Sequence, residues 1–228
     1  MHLLSPSLSP SAIDKSLPPV EQAYQYVING ILTGELKAGT RIPTEAVAEA
    51  LGISRTPVRD ALRSLEGDGA VMIYANRGAV VAKYSRAEVS QLIEIRAALE
   101  GLAARFALPN IGLSELEELT HLKSRMERES SSLSKWMAAH DAFHNYLTSL
   151  SGRPLLVRQT VKMRFMLLPY YREYYSQSLE MEIFGLEHEK LIRAVELNDP
   201  THLEQIVRRH AIINVEKVAD LADLPPNT

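Results

Sequence analysis

Cysteine is absent from the 228 residues. Its absence excludes a disulfide scaffold, zinc ribbons, iron–sulfur clusters and a thiol nucleophile, and it fits a reducing compartment. No apolar run approaches the roughly 18 residues that a membrane span needs. The opening MHLLSPSLSPSAIDKS lacks the basic start and apolar core of a secretion signal. The expectation is therefore a soluble, cytoplasmic chain with no membrane partner. A large positive charge is missing as well: the formal net charge is -3, which argues against a binder held to nucleic acid by bulk charge. What is present is ordinary for a globular protein, with 46% hydrophobic and 23% charged residues. The length suits two domains.

The charges are uneven. Residues 53–86 carry Arg55, Arg59, Arg63, Arg77, Lys83 and Arg86 against Asp60, Glu66 and Asp68, whereas acidic groups slightly outnumber basic ones from there on. A basic patch on a mildly acidic chain is the footprint of a nucleic-acid-reading face. A few solvated arginines on a helix give the same count.

The pattern along the chain predicts a mainly α fold in two parts: a loose tail over 1–16, a first domain over 17–84, an all-helical domain over 85–222 and a tail over 223–228. Pro18 and Pro19 open a first helix whose apolar face reads Val20, Ala23, Tyr24, Val27, Ile28, Ile31 and Leu32. Gly34 and Gly39 end it. A second helix starts at Thr44 and stops at Gly52, and a third starts near Thr56 with Pro57 in its first turn. Val58, Ala61, Leu62 and Leu65 form its inner face. VMIYANRGAVVAKY then reads as two strands around Asn76, Arg77 and Gly78. After Tyr84 no β-rich alternation returns. Ser85 with Glu88 makes a capping box for a long helix to about Ala107. Ser114 with Glu117 marks another start, and helices follow over 132–150, 154–176, 180–197 and 200–221.

The stretch TEAVAEALGISRTPVRDALRSLEGDG, followed by strand, turn and strand, has a mechanical meaning. A short helix ends at a glycine, the chain turns, and a second helix opens with Ser54, Arg55 and Thr56 and carries Arg59 one turn on. Residues at such a helix start enter the major groove, where Arg forks onto guanine and hydroxyls bind phosphate. The helix N-terminus itself favours a phosphate. Arg55, Arg59 and Arg63 lie four apart and form one stripe opposite Leu62 and Leu65. For Arg63 the competing reading is a solvated residue or a partner for Glu66.

RIPTEAVAEALGISRTPVRDALRSLEGDGAVMIYANRGAVV resembles the winged helix-turn-helix of the GntR family of bacterial transcription regulators, with ISRTPVRDALRSLE as its specific core. The resemblance implies DNA contacts from Ser54, Arg55, Thr56 and Arg59 and from the wing around Arg77 and Gly78. Arg41, Thr44, Pro57 and Arg63 complete the candidate DNA-facing set. Some relatives carry a basic residue after the glutamate matched by Glu45; Ala46 stands there in this chain and removes that contact.

Of seven histidines, His140 and His144 lie four apart on one helix face, a spacing that can chelate a divalent metal. His188 and His210 fall on two later helices among apolar neighbours, where a buried neutral histidine is also an ordinary core residue. EIRAALEGLAARFA, HDAFHNYLTSLSGRPLL and EHEKLIRAVELNDPTHLEQIVRRH resemble the all-helical ligand-sensing FCD domain of the fatty-acid-regulator branch of the same family. That resemblance implies a metal pocket between helices, built in many relatives from an Asp and three His, which maps here onto His140, His144, His188 and His210. His140 thus replaces the usual Asp. Asp141 is next to it but points about 100° away on a helix. Four neutral imidazoles leave the whole +2 charge on the metal, zinc or nickel being the expected ions. Such a charge attracts an anionic effector. SGRPLL carries Arg153 where relatives have Asn, which would alter the effector chemistry there.

Arg96, between Leu92 and Leu99, is either a surface ion pair with Glu100 or a pocket arginine ready to hold a carboxylate. The family reading favours the pocket. Arg164, Tyr170 and Tyr171 should flank the cavity, while Met163, Phe165 and Met166 read as core. The resulting expectation is a homodimeric, ligand-responsive transcription regulator on a palindromic duplex operator, sensing an organic acid at a divalent metal, with its hinge near residues 84–86. The rival readings are a metal-dependent enzyme, against which stands the lack of an HExxH or other paired base, and a direct metal sensor.

Overall fold

The computed structural model describes residues 13–177 and 181–223, with the backbone alone for 181–185. The chain divides into two compact units, one reaching to Lys83 and the other spanning Tyr84–Leu224.

The first unit contains α1 (Pro19–Thr33), β1 (Arg41–Ile42), α2 (Thr44–Leu51), α3 (Arg55–Gly67), β2 (Val71–Tyr74) and β3 (Gly78–Val81). Pro19 opens α1 where its missing N–H costs nothing, and Gly34 closes it in the left-handed region at φ 83. The buried face of α1 is Ala23, Tyr26, Val27 and Ile31, rotated from the expected one. Val20 is exposed, and Tyr24 sits half-buried with its hydroxyl donating to Asp68 Oδ2 at 2.9 Å. Gln22 lies on the buried face and donates to the carbonyls of Lys15 and Leu17 at 3.3 and 2.7 Å. Of the tail expected over 1–16, residues 1–12 lie outside the described residues. Of the last four, Ile13 is buried while Asp14, Lys15 and Ser16 are exposed, with Asp14 Oδ1 accepting from the backbone and side chain of Ser16.

Gly52, in the left-handed region at φ 68, ends α2 and turns the chain into α3, whose Val58, Ala61, Leu62 and Leu65 are buried. β2 and β3 pair antiparallel with Tyr74 opposite Gly78. β1, a two-residue strand that periodicity is too short to signal, adds to β3 with Ile42 opposite Ala79. The sheet order is β1-β3-β2.

The second unit is helical: α4 (Arg86–Ala107), α5 (Leu113–Arg128), α6 (Leu133–Ser149), α7 (Pro154–Gln177), α8 (Met181–Glu196), α9 (Pro200–Ile212) and α10 (Val215–Asp220). Ser85 and Glu88 form the reciprocal capping box at the start of α4. Two expected boundaries differ. The start of α5 is set by Gly112, whose N–H donates to Glu115 Oε2 at 2.9 Å, rather than by Ser114 and Glu117. The helix expected over 200–221 is two helices, because the chain leaves helical geometry after Ile213 and restarts behind Asn214. The tail expected over 223–228 lies outside the described residues except for Asp223, which ends a 3-10 turn.

α4 runs through the middle of this unit and packs on α6, α7, α9 and α10. Its approach to α9 is close: a β-carbon on Gly101 would stand 2.4 Å from Cγ of Arg208 and 3.0 Å from the Glu204 carbonyl oxygen. The packing brings side chains of α4, α6, α7, α8 and α9 to one interior cavity. Among the described residues, no helix is long and apolar enough to cross a membrane.

Candidate functional site

Two groups of side chains stand out, one in each unit. In the first, Arg41, Ser54, Arg55, Thr56, Arg59, Arg63, Arg77 and Gly78 are all exposed, and Thr44 and Pro57 are half-buried. The apolar face of α3 is used up by the core, so Arg55, Arg59 and Arg63 face solvent as one row. Gly78, at φ 72, supplies the left-handed residue that lets β2 and β3 turn around Arg77.

Two of the arginines have carboxylate partners. Arg55 Nη1 lies 3.0 Å from Glu45 Oε1 on α2, and Arg63 Nη1 lies 3.7 Å from Asp60 Oδ1. Both pairs are exposed and contribute little to stability, but the first holds the Arg55 guanidinium against the neighbouring helix. The expected alternative partner of Arg63 is engaged elsewhere, since Glu66 Oε1 accepts from the Ile73 N–H at 3.1 Å. The Glu45–Arg55 pair was not anticipated from the sequence, because nothing local links residues ten apart across a turn.

In the second unit, His140 and His144 project from α6, His188 from α8 and His210 from α9. One ring nitrogen from each falls within 4.8 Å of the others. His144 Nε2 lies 3.1 Å from His188 Nε2 and 3.3 Å from His210 Nε2. A neutral imidazole nitrogen carries either one proton or one lone pair. His144 Nε2 can therefore satisfy one of these contacts but not both by hydrogen bonding. A cation at the common point accepts a lone pair from each, and metal–nitrogen bonds of about 2.1 Å place adjacent nitrogens about 3.0–3.4 Å apart. The donor set thus fits a divalent ion.

The surroundings disfavour the charged form of His140, His144 and His210. Burial pushes His140 below the ordinary imidazole range. Burial, reinforced by the Arg164 guanidinium, holds His144 well below that range. Burial and the neighbouring His188 and His140 do the same to His210. His140 stacks on Trp136 with ring centroids 5.1 Å apart. Asp141 is outside the converging set, as its helical position implies. Its Oδ1 lies 3.7 Å from His140 Nδ1 and 3.3 Å from Arg164 Nη1. Burial opposes its charge, but His140 and Arg164 outweigh burial and lower its pKa.

The histidines open on a cavity of about 630 Å³ whose lining includes Arg96, Glu100, Arg164 and Tyr171. Arg96 is buried, so its pairing with Glu100 is interior rather than a surface ion pair. Its Nη2 donates to the Tyr171 hydroxyl at 2.8 Å and to the Ala211 carbonyl at 3.1 Å, and its Nε stands 3.7 Å from Glu100 Oε1. Burial disfavours its charge, yet Tyr171 and Glu100 beside it raise its pKa. Arg164 Nη2 meets the same Glu100 oxygen at 2.6 Å. Sequence reasoning missed this shared role of Glu100; its only local signal was the spacing of four from Arg96.

Three further expectations are corrected. Tyr170 does not line the cavity; its hydroxyl accepts from the Tyr84 N–H at 2.6 Å and donates to the Tyr84 carbonyl at 3.2 Å. Arg153 stands 3.6 Å over the Phe106 ring, away from the cavity lining. Met163, Phe165 and Met166 are half-buried rather than fully interior. A contact that sequence could not show ties the start of α4 to α10: Arg86 reaches Glu216 Oε2 at 2.6 Å and Asp220 Oδ1 at 2.7 Å. Asp220 also lines the cavity.

Comparison with known proteins agrees with this layout. Residues 19–81 match the profile of bacterial regulatory proteins, gntR family, and residues 91–212 match that of the FCD domain. An uncharacterized HTH-type transcriptional regulator from the TAR-I ttuE-ttuC' intergenic region of Agrobacterium vitis is 31% identical over 140 residues, which cover 59% of this chain and 81% of that protein. The HTH-type transcriptional repressor GlaR of Escherichia coli is 23% identical over 83% of this chain and 90% of its own length. Among solved structures, E. coli McbR/YncC superposes with a TM-score of 0.79 at 20% identity, covering 90% of this chain and 99% of that one. This last likeness concerns the fold.

Proposed function

The chain belongs to the gntR family of bacterial regulatory proteins, with an FCD domain behind its DNA-binding domain, so it is a DNA-binding transcription regulator and not an enzyme, and on that premise we propose that it senses a small organic acid at a divalent metal held by His140, His144, His188 and His210. The observation that carries this reading is the convergence of one ring nitrogen from each of the four histidines, with His144 Nε2 facing two others of which it can satisfy one but not both by hydrogen bonding, beside a buried arginine. A bound metal would supply Lewis acidity and open coordination positions for an anionic group. Arg96, from the same cavity, is placed to pair a carboxylate.

In the DNA-reading unit, Ser54, Arg55, Thr56 and Arg59 would lie against a duplex, with Arg63, Arg41, Thr44 and Pro57 beside them and Arg77 and Gly78 contacting it from the wing. Two copies on a palindromic operator satisfy the match between protein and operator symmetry. For the acid to regulate, it must bind one arrangement of the regulator better than the other, since equal affinity shifts nothing. The cavity and the linker share two elements. Tyr171 bonds Arg96 while the adjacent Tyr170 clamps Tyr84, and Asp220 lines the cavity while pairing Arg86. Ligand that moves α7 or α10 therefore acts on residues 84–86.

The test is metal content by elemental analysis together with operator affinity. One equivalent of zinc or nickel per chain is expected, lost in His144→Ala, and addition of the effective acid to the loaded protein should change operator affinity. Absence of metal from a protein refilled with either ion would overturn the site. A direct metal sensor is the second reading, favoured by how completely the four imidazoles converge. It requires operator affinity to change on chelation with no acid present.

A further inference from the structure

We infer that the ligand of this cavity is a dianion, a dicarboxylate rather than a monocarboxylate, and that His140 is the residue that sets this preference; the inference rests on the metal-and-acid reading above. The charges at the inner end of the cavity already balance without a ligand. Arg96 and Arg164 share Glu100, and Arg164 also meets Asp141, so two cations face two carboxylates. The four imidazoles contribute no charge when their lone pairs converge on one point. A divalent ion there leaves an excess of two positive charges.

That excess lies in a site where two of the four histidines, His144 and His188, are almost fully buried, and an uncompensated charge out of water is costly. A carboxylate at position 140 would have removed one unit of it and left a single charge for the ligand to cancel. Histidine at 140 leaves two. Among the described residues, the remaining lining does not supply the balance. Asp220 and Glu216 share the single cation Arg86, Lys217 on the same wall offsets the negative charge they leave, and Glu187 is paired with Lys190. The cavity, at about 630 Å³, has room for a second carboxylate beyond the one on the metal.

The experiment uses the full chain loaded with zinc, its metal content measured first. It is titrated calorimetrically at fixed ionic strength with malonate, succinate, glutarate and adipate, and with the carbon-matched monocarboxylates. At least one dicarboxylate should bind tenfold or more tighter than its monocarboxylate match. In His140→Asp, its zinc content first confirmed, this ratio should fall at least tenfold, and in His140→Asn, loaded and measured in the same way, the loss should be clearly smaller. Equal binding of both classes, no binding of any dicarboxylate, the same preference after chelation, or equal loss in the Asp and Asn variants would overturn the inference. Failure of zinc to bind would overturn the metal reading as well, and the initial metal measurement separates that case.

Discussion

At the scale of single residues, the interior of the helical unit turns on Glu100. It is almost fully buried and meets two arginines that are buried with it. Removing one partner of a buried ion pair leaves an uncompensated charge, at a cost of about 3–5 kcal/mol. Glu100→Gln is therefore expected to lower the unfolding free energy by about 3 kcal/mol in urea denaturation, whereas a loss below about 1 kcal/mol would show that the arginines do not depend on it. Of the histidines, the pair His140 and His144 was legible from spacing and residue type, whereas the inclusion of His188 and His210 came only from the family resemblance. Glu100 was not legible, since a Glu four residues after an Arg reads as a solvated pair until other helices cover it. Gln22 is similar: a polar residue held inward by bonds to the carbonyls of Lys15 and Leu17 joins the buried face of α1, where hydrophobicity alone does not place it.

At the scale of elements, caps and close approaches decide where helices start and how they meet. Ser85 accepts from the Glu88 N–H while Glu88 Oε2 accepts from the Ser85 N–H, and Ser85→Ala should cost about 1 kcal/mol. The bonds from Ser85 hold the Glu88 carboxyl below its ordinary pKa. The contribution of Glu88 is thus present above the usual carboxylate range and lost as pH falls through the lowered value, so Glu88→Gln should matter at pH 7 and cease to matter at strongly acid pH. Thermal unfolding of wild type and variant across pH reads this directly. Gly101→Ala should cost about 1–3 kcal/mol by overpacking, because the new β-carbon meets Arg208 Cγ and the Glu204 carbonyl oxygen. Since α4 carries Arg96 and α9 carries His210, the same change should weaken zinc binding. The capping box was readable in advance; the break between α9 and α10 was not, because no proline or glycine marks it and periodicity continues across Ile213.

At the scale of the molecule, residues 84–86, where the chain enters the helical unit, are held twice by that unit, by Tyr170 on Tyr84 and by Glu216 and Asp220 on Arg86. A coupling free energy between two sites acts in both directions. Tyr170→Phe and Arg86→Ala should keep the metal content of wild type yet lose most of the change in operator affinity that the acid produces; an undiminished response in both variants would place the coupling elsewhere. This arrangement depends on side chains more than 80 residues apart in sequence and was beyond the reach of local patterns, which located only the linker itself. The central claim is that the row of arginines on α3 reads a duplex. Its most direct test is the affinity of the full chain for duplex fragments from around its own coding region, at low ionic strength, beside Arg55→Ala and Arg59→Ala. Nanomolar-to-micromolar binding by the parent, weakened roughly tenfold or more in each variant with metal content unchanged, is the expected result. Variants that bind as tightly as the parent, or a parent that ignores every fragment, would contradict it.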